Sequence, residues 1–238
     1  MKKQLPVVIL CGGLGTRLSE ETKNKPKAMV EIGKKPIIYH LIKYFEYYGF
    51  KNFFIAAGYK KEILSKYFKT KKFKSKIKVI DTGNKSMTGG RLLRLKKFLK
   101  QDESFIMTYG DGLCDVNIKK LVHFHFKNKK IATVTAVHPP ARFGELEINN
   151  QSEVTDFIEK PQVKAGWING GFFVLNKEIF QYISNDLTIF EKDPIEKLVK
   201  KKEILAFKHK GFWQCMDTLR DKIFLNKMWK RGETPWKK

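Results

Sequence analysis

The 238-residue sequence predicts an α/β fold: a mostly parallel central sheet flanked by helices, with a small mixed β region in its second half. Three observations predict it. Short apolar runs alternate with amphipathic ones, which is the rhythm of parallel strands joined by crossover helices. The first run, Leu5 to Cys11, ends in Gly12-Gly13-Leu14-Gly15, a glycine-rich turn of the kind that lets backbone approach a ligand. Beyond Val137 the runs become shorter and less regular, as in strands of mixed direction.

The elements follow in order. Pro36 to Tyr48 places Ile37, Ile38, Leu41, Ile42 and Phe45 at helical spacing, with Gly49 as the stop. Asn52 to Ala57 is a second strand and Lys60 to Phe68 a second helix. Ile77 to Ile80 is a short strand, Gly90 to Leu99 a helix, and Ser104 to Tyr109 a strand ending at Gly110-Asp111-Gly112. A helix near Ile118 to Lys127 and a strand from Ile131 to Val137 complete the first half. Gly144 to Ile148, Val154 to Glu159 and Gly171 to Leu175 are the shorter strands. Helices near Lys177 to Ile183 and Asp193 to Lys201, strands near Ile204 to Phe207 and Phe212 to Met216, and a helix from Leu219 to Trp229 close the chain. No repeat or low-complexity linker interrupts it, so residues 1–238 read as one domain. Lys69 to Lys78 reads as a solvated basic loop.

Composition narrows the partners. Lys plus Arg is 48 against 24 acidic residues, a net charge of +24, which admits nucleic acid, an anionic membrane surface or small phosphorylated ligands. The cations are 42 Lys and only 6 Arg. Readers of bases and phosphates lean on the Arg fork, so the excess reads as Lys bias, with no nucleic-acid partner expected. Cys11, Cys114 and Cys215 are far apart and form no CxxC, which argues against zinc and disulfides and for a reducing compartment. The apolar start is short for a signal peptide, and no run reaches the roughly 18 to 20 residues of a spanning helix. A soluble, cytoplasmic protein without a membrane partner is expected.

Gly12-Gly13-Leu14-Gly15-Thr16-Arg17 lacks the Gly-Lys-Ser/Thr of a Walker loop, and Leu18 stands where a dinucleotide fingerprint needs its third glycine. Alone it is compatible with a plain turn. Arg17, Lys25 and Lys27 follow closely, with Pro26 holding the last two in an extended segment. Fixed positive charge beside glycine amides suits a triphosphate, whose leaving group gains charge during transfer. The five histidines offer no metal pair, since His123 and His125 point to different faces of one helix. Nor does any Ser elbow or Cys–His arrangement suggest a covalent nucleophile.

Gly-Gly-Leu-Gly-Thr-Arg-Leu followed by Lys25-Pro26-Lys27 resembles the signature of the sugar-1-phosphate nucleotidylyltransferases. Further segments resemble the cytidylyl-transferring branch that acts on glucose 1-phosphate. They are Glu31 to Ile37, Asp81-Thr82-Gly83, Met87 to Leu92, Thr108 to Gly112, Arg142-Phe143-Gly144, Glu159-Lys160-Pro161, Ile168 to Phe173 and Gly211 to Thr218. They occur in order over nearly the whole chain. The resemblance implies a Rossmann-like sheet, with residues 1–137 as the nucleotide half and 138–238 as the sugar-phosphate half with a terminal helix.

It also implies roles. Leu10 to Thr16, Arg17 and Lys27 would bind the nucleotide, with Arg17 and Lys27 stabilising charge on the triphosphate. Ser86, Arg91 and Gly110 would recognise the cytosine nucleotide. Asp111, closing a strand between glycines, and Asp217 would hold Mg²⁺, an ion that takes carboxylates and substrate phosphates as ligands. Asp217 is alternatively a cap for the last helix. Glu159 would read sugar hydroxyls, Lys160 steer the sugar phosphate, and Asn169 and Gly170 contact the sugar. The implied reaction is CTP + α-D-glucose 1-phosphate → CDP-glucose + diphosphate, in service of deoxysugar and polysaccharide synthesis, by a homo-oligomer.

Two departures accompany the resemblance. Ala28 replaces a proline usual after Pro-Lys. The interval from Phe68 to Asp81 is about a dozen residues, half of them Lys, where similar enzymes carry a longer insert bordering the active site and subunit contacts. UTP, dTTP or GTP, or another sugar phosphate, therefore stay open. So do a non-catalytic nucleotide sensor and a basic nucleic-acid-associated protein.

Overall fold

The computed structural model describes residues 4–99, 102–139, 145–158 and 166–238. In chain order the strands and helices are β1 (Val7–Cys11), α1 (Ser19–Thr22), β2 (Glu31–Ile32), β3 (Lys35–Pro36), α2 (Ile37–Tyr47), β4 (Asn52–Ala57), α3 (Lys61–Thr70) and β5 (Lys76–Asp81). Then come α4 (Thr88–Leu95), β6 (Ser104–Tyr109), β7 (Gly112–Cys114), α5 (Ile118–Asn128), β8 (Ala132–Val137), β9 (Glu145–Ile148) and β10 (Val154–Ile158). The chain finishes with β11 (Ile168–Asn176), α6 (Asp193–Lys200), β12 (Ile204–His209), β13 (Trp213–Cys215) and α7 (Leu219–Arg231).

Seven strands form the central sheet in the order β12-β8-β11-β6-β1-β4-β5. β4, β1 and β6 run parallel, as do β5 with β4 and β12 with β8, while β11 runs antiparallel to both its neighbours. The chain therefore leaves β1 toward β4 on one side and returns to β6 on the other. Ligands bind at such a switch point, outside the carboxyl ends of the strands.

Side-chain alternation builds a core on each face of the sheet. Val7, Ile9 and Cys11 pack with Ile38, Leu41, Ile42 and Phe45 of α2. Val8 and Leu10 pack with Leu92 and Leu95 of α4 and Leu198 of α6. A third cluster lies under α7, where Leu18, Val30, Ile32, Ile37, Leu113, Met216, Leu225 and Trp236 meet. Leu18 follows Arg17, Met216 precedes Asp217 and Leu113 comes two residues after Asp111, so this small core holds three site segments against one another.

The predicted elements are found with ends shifted by a few residues, and Lys177–Tyr182 winds as a 3-10 helix. The segment expected as a last strand joins no main sheet. Trp213–Cys215 pairs with Gly112–Cys114 as a separate antiparallel ribbon. β7, the β2–β3 hairpin and the short turn α1 were not foreseen, being too short to show a period. Lys27 is not in an extended segment: Pro26 is extended, but Lys27–Met29 forms a 3-10 turn. Among the described residues, no helix is long and apolar enough to cross a membrane.

Candidate active site

The loop after β1 is built around a buried guanidinium. Arg91, in the first turn of α4, donates through Nη2 to the Gly12 carbonyl at 2.9 Å and through Nη1 to Thr82 Oγ1 at 2.8 Å and the Gly83 carbonyl at 2.7 Å. It is only 5% exposed, so its donors are spent on bracing the loops after β1 and β5. A Cβ on Gly12 would lie 2.0 Å from Arg91 Cζ, and one on Gly58 would lie 2.4 Å from Arg91 Nη1 and 2.8 Å from the Gly12 carbonyl. Both positions need glycine for this close approach. Gly58 was missed in the sequence because its requirement comes from contacts with distant loops. At Gly13, by contrast, a Cβ would meet nothing within 4 Å.

The other predicted nucleotide residues surround this brace. The side chains of Leu10 and Cys11 are buried in the two sheet-face cores, and the Leu10 carbonyl accepts from Gly110 N at 3.0 Å. Cys11 Sγ packs where a Cβ on Gly110 would stand, at 2.5 Å, and burial pushes its thiol up. Leu14 is exposed in the loop, and Thr16, also exposed, opens the 3-10 turn Thr16–Leu18. Thr22 Oγ1 donates to the Gly15 and Leu18 carbonyls at 2.9 Å, closing the loop. Ser86 is buried, with its hydroxyl 3.3 Å from the point a Gly83 Cβ would occupy.

The charged centre lies beside this loop. Lys27 Nζ donates to Asp111 Oδ2 and to Asp217 Oδ1, each at 2.6 Å, and Arg17 forms an ion pair with Asp217. Burial works against the Lys27 charge, but the Asp111 carboxylate and the hydrogen bonds that Lys27 donates to both aspartates prevail and raise its pKa. The Lys27 side chain is 15% exposed and that of Arg17 76%, so the first is fixed and the second has room to follow a ligand. Lys25 does not join the fork; it pairs with Glu21 at 3.5 Å, and Glu21 also pairs with Lys222 of α7.

The β7–β13 ribbon explains how the two aspartates meet. Cys215 pairs with Gly112, and one step further the Met216 amide donates to the Asp111 carbonyl at 2.8 Å. Asp217 does not cap α7. Thr218 does, in a reciprocal box with Asp221, and Asp221 Oδ2 also accepts from Asp217 N at 3.0 Å. The Asp217 carboxylate is thereby left to the site.

Oxygen or sulfur atoms of Asp111, Cys215 and Asp217 lie within 4.8 Å of one another. The two carboxylates are hard donors suited to a divalent cation that keeps water and phosphate ligands. The Lys27 ammonium already bridges them at 2.6 Å, so the pair accommodates positive charge between its members. The residues fit a divalent metal ion. Among the described residues no histidine joins such a group. His40 meets the Ile32 carbonyl, His125 meets Thr133 and Asn176, and His209 meets Asp115.

Asn169 and Gly170 sit where β11 departs from regular pairing. Asn169 faces Ala136 and Phe173 faces Val134, so extra β11 residues bulge between them. The Gly170 carbonyl accepts from Trp213 Nε1 at 2.7 Å, and Gly171, at φ +81°, donates to Asn169 Oδ1 at 2.8 Å. Asn169 is exposed. Glu159 and Lys160 lie outside the described residues, as do Arg142-Phe143-Gly144 and Pro161.

Comparison with known proteins adds four relations. The family model described as nucleotidyl transferase matches residues 6–224. A protein of Salmonella typhimurium named glucose-1-phosphate cytidylyltransferase is 46% identical over 255 aligned positions, covering 98% of this chain and 99% of that protein. That alignment is longer than this chain, so part of the relative has no counterpart here. A Campylobacter jejuni protein named D-glycero-alpha-D-manno-heptose 1-phosphate guanylyltransferase is 33% identical, covering 83% of this chain and 86% of its own length. The crystal structure of HddC from Yersinia pseudotuberculosis superposes with a TM-score of 0.75 at 28% identity, over 95% of this chain and all of that one.

Proposed function

The chain belongs to the nucleotidyl transferase family, and on that premise we propose that it transfers the cytidylyl group of CTP to α-D-glucose 1-phosphate, giving CDP-glucose and diphosphate. The observation that carries this reading is the convergence of Lys27, Asp111 and Asp217 beside the glycine loop. The extent of identity to the Salmonella protein supports the choice of substrates.

A phosphate oxygen of glucose 1-phosphate attacks the α-phosphorus of CTP in line; the bond from that phosphorus to the bridging oxygen breaks, and diphosphate carries away the electron pair. Amides of residues 12–16 receive the triphosphate, and Arg17 and Lys27 balance the charge that grows on the leaving group. Asp111 and Asp217 are the residues that would hold Mg²⁺, which when bound neutralises phosphate charge. Ser86 and Gly110 contact the cytosine nucleotide, and Arg91 supports the same pocket through the Gly12 carbonyl. Glu159 and Asn169 read sugar hydroxyls, and Lys160 steers the incoming phosphate. Positioning and charge neutralisation do the catalysis, without a covalent enzyme intermediate.

The same reading carries a cytoplasmic location, where CTP is available, and a homo-oligomer. Leu146, Ile148 and Val154, exposed on the β9–β10 hairpin, offer apolar surface for self-association, which light scattering would measure. Diphosphate release with Mg²⁺ across CTP, UTP, dTTP, ATP and GTP against several sugar 1-phosphates tests the function. The dominant signal is expected for CTP with glucose 1-phosphate. Preference for GTP would instead favour the specificity named for the Campylobacter relative.

A further inference from the structure

Beyond the charged centre, one polar chain runs from the nucleotide side of the site to its sugar side. Tyr109 ends β6 two residues before Asp111, and its hydroxyl donates to Glu191 Oε1. Glu191 Oε2 accepts from Thr88 Oγ1 at 2.6 Å, and Thr88 Oγ1 in turn accepts from Phe190 N at 2.9 Å. Both carboxylate oxygens are thus engaged, on a half-buried side chain that the proposed reaction does not use.

The polarity of this chain is set by chemistry. An ionised carboxylate only accepts, so the Tyr109 proton must point to Glu191 and the phenol oxygen is left to accept. The Asn169 amide is set toward that oxygen as a donor, for it favours the phenolate while burial and the Glu191 carboxylate oppose it. Asn169 Oδ1 is committed to Gly171 N at 2.8 Å. The amide therefore stands with Oδ1 toward Gly171 and Nδ2 toward Tyr109. The ring cannot shift away easily, because it lies against Gly171, where a Cβ would come within 2.7 Å of Tyr109 Cδ2.

We propose that Glu191, acting through Tyr109, fixes the donor–acceptor orientation of Asn169 and so determines which arrangement of sugar hydroxyls the site accepts. Glu191 and Tyr109 are positioning residues in this scheme, and the inference rests on the reading of Asn169 as a sugar contact. A site built to hydrogen-bond a hydroxyl discriminates through the partners it would otherwise leave unpaired. Reversing the amide would pair like with like.

Glu191→Gln tests this, because a glutamine can donate to the phenol oxygen and turn the Tyr109 proton toward Asn169. Steady-state rates with CTP are measured for glucose 1-phosphate, galactose 1-phosphate and mannose 1-phosphate, in the wild type, Glu191→Gln, Tyr109→Phe and the double variant. KM for glucose 1-phosphate should rise about tenfold in each single variant, the worth of one well-made hydrogen bond. Preference for glucose over its epimers should fall, and KM for CTP should stay within about twofold. The double variant should be no worse than Tyr109→Phe, since one effect passes through the other. A lower melting temperature with unchanged sugar preference, or additive losses in the double variant, would overturn the proposal while leaving the cytidylyl reaction standing. A folded wild type inactive with every pair would overturn that reaction, and this inference with it.

Discussion

Lys27 and Asp217 stand 190 positions apart in the chain and meet at 2.6 Å, with Asp111 completing the clasp on the other side of the ammonium. Two separate devices produce this meeting. A 3-10 turn after Pro26 aims Lys27 from the nucleotide half, and the β7–β13 ribbon delivers Asp217 from the other end of the chain. The apolar cluster of Leu18, Leu113, Met216 and Trp236 then fixes both against the same floor.

Lys27→Met should leave Asp111 without its counter-ion, Asp217 with Arg17 alone, and the triphosphate without a fixed cation. A loss of about a hundredfold or more in kcat is expected, in the range of removing one preorganised electrostatic donor. Diphosphate release under saturating substrates measures it. Arg17→Met, at an exposed and adaptable position, should raise KM for CTP more than it lowers kcat.

Two neighbouring glycines should respond in opposite ways. Gly12→Ala drives a methyl into the Arg91 guanidinium, and a cost of about 1–3 kcal/mol should appear as a lowered melting temperature. Gly13→Ala meets open space, so stability should hold while KM for CTP rises. Thermal melts paired with kinetics separate the two.

Asp221→Ala removes half of the capping box and the acceptor for Asp217 N. Helix capping alone is worth about 1 kcal/mol. Loosening Asp217 as well should raise the Mg²⁺ concentration needed for half-maximal activity. A Mg²⁺ titration reads this directly, and Thr218→Ala, which spares the Asp217 contact, should shift it less.

Stability should decline on mild acidification. Burial lowers the pKa of both His40 and His125, leaving neutral rings hydrogen-bonded at Ile32 and between Thr133 and Asn176. The unfolded chain takes up these protons near pH 6.5, before the folded one does. Stability contributed by the neutral rings is therefore present above that pH and lost as pH falls through it toward the folded values. Melting temperature measured from pH 7.5 to 5 should drop, and His125→Asn should flatten the curve.

Much of this was legible in the residues. Buried strands such as Val7–Cys11 and Asn52–Ala57 declare themselves by continuous apolar runs, and α2 by the spacing of Ile38, Leu41, Ile42 and Phe45. Motif segments led to Lys27, Asp111 and Asp217, which the fold brings together. What the sequence hid depends on three-dimensional neighbours. Lys25 looks equivalent to Lys27 until Glu21 draws it away. Arg91 looks like a free contact for the cytosine nucleotide until its donors are seen on Gly12, Thr82 and Gly83. The short ribbon strands carry too few residues for any pattern, although they decide where Asp217 lies.

The central claim is that Asp111 and Asp217 form the metal-holding centre of a cytidylyl transfer. Diphosphate release from CTP and glucose 1-phosphate with Mg²⁺, compared between wild type, Asp111→Asn and Asp217→Asn, tests it most directly, with circular dichroism as the check on folding. The account predicts robust turnover in the wild type and its near-abolition in both folded variants. Near-normal turnover in either variant would contradict it.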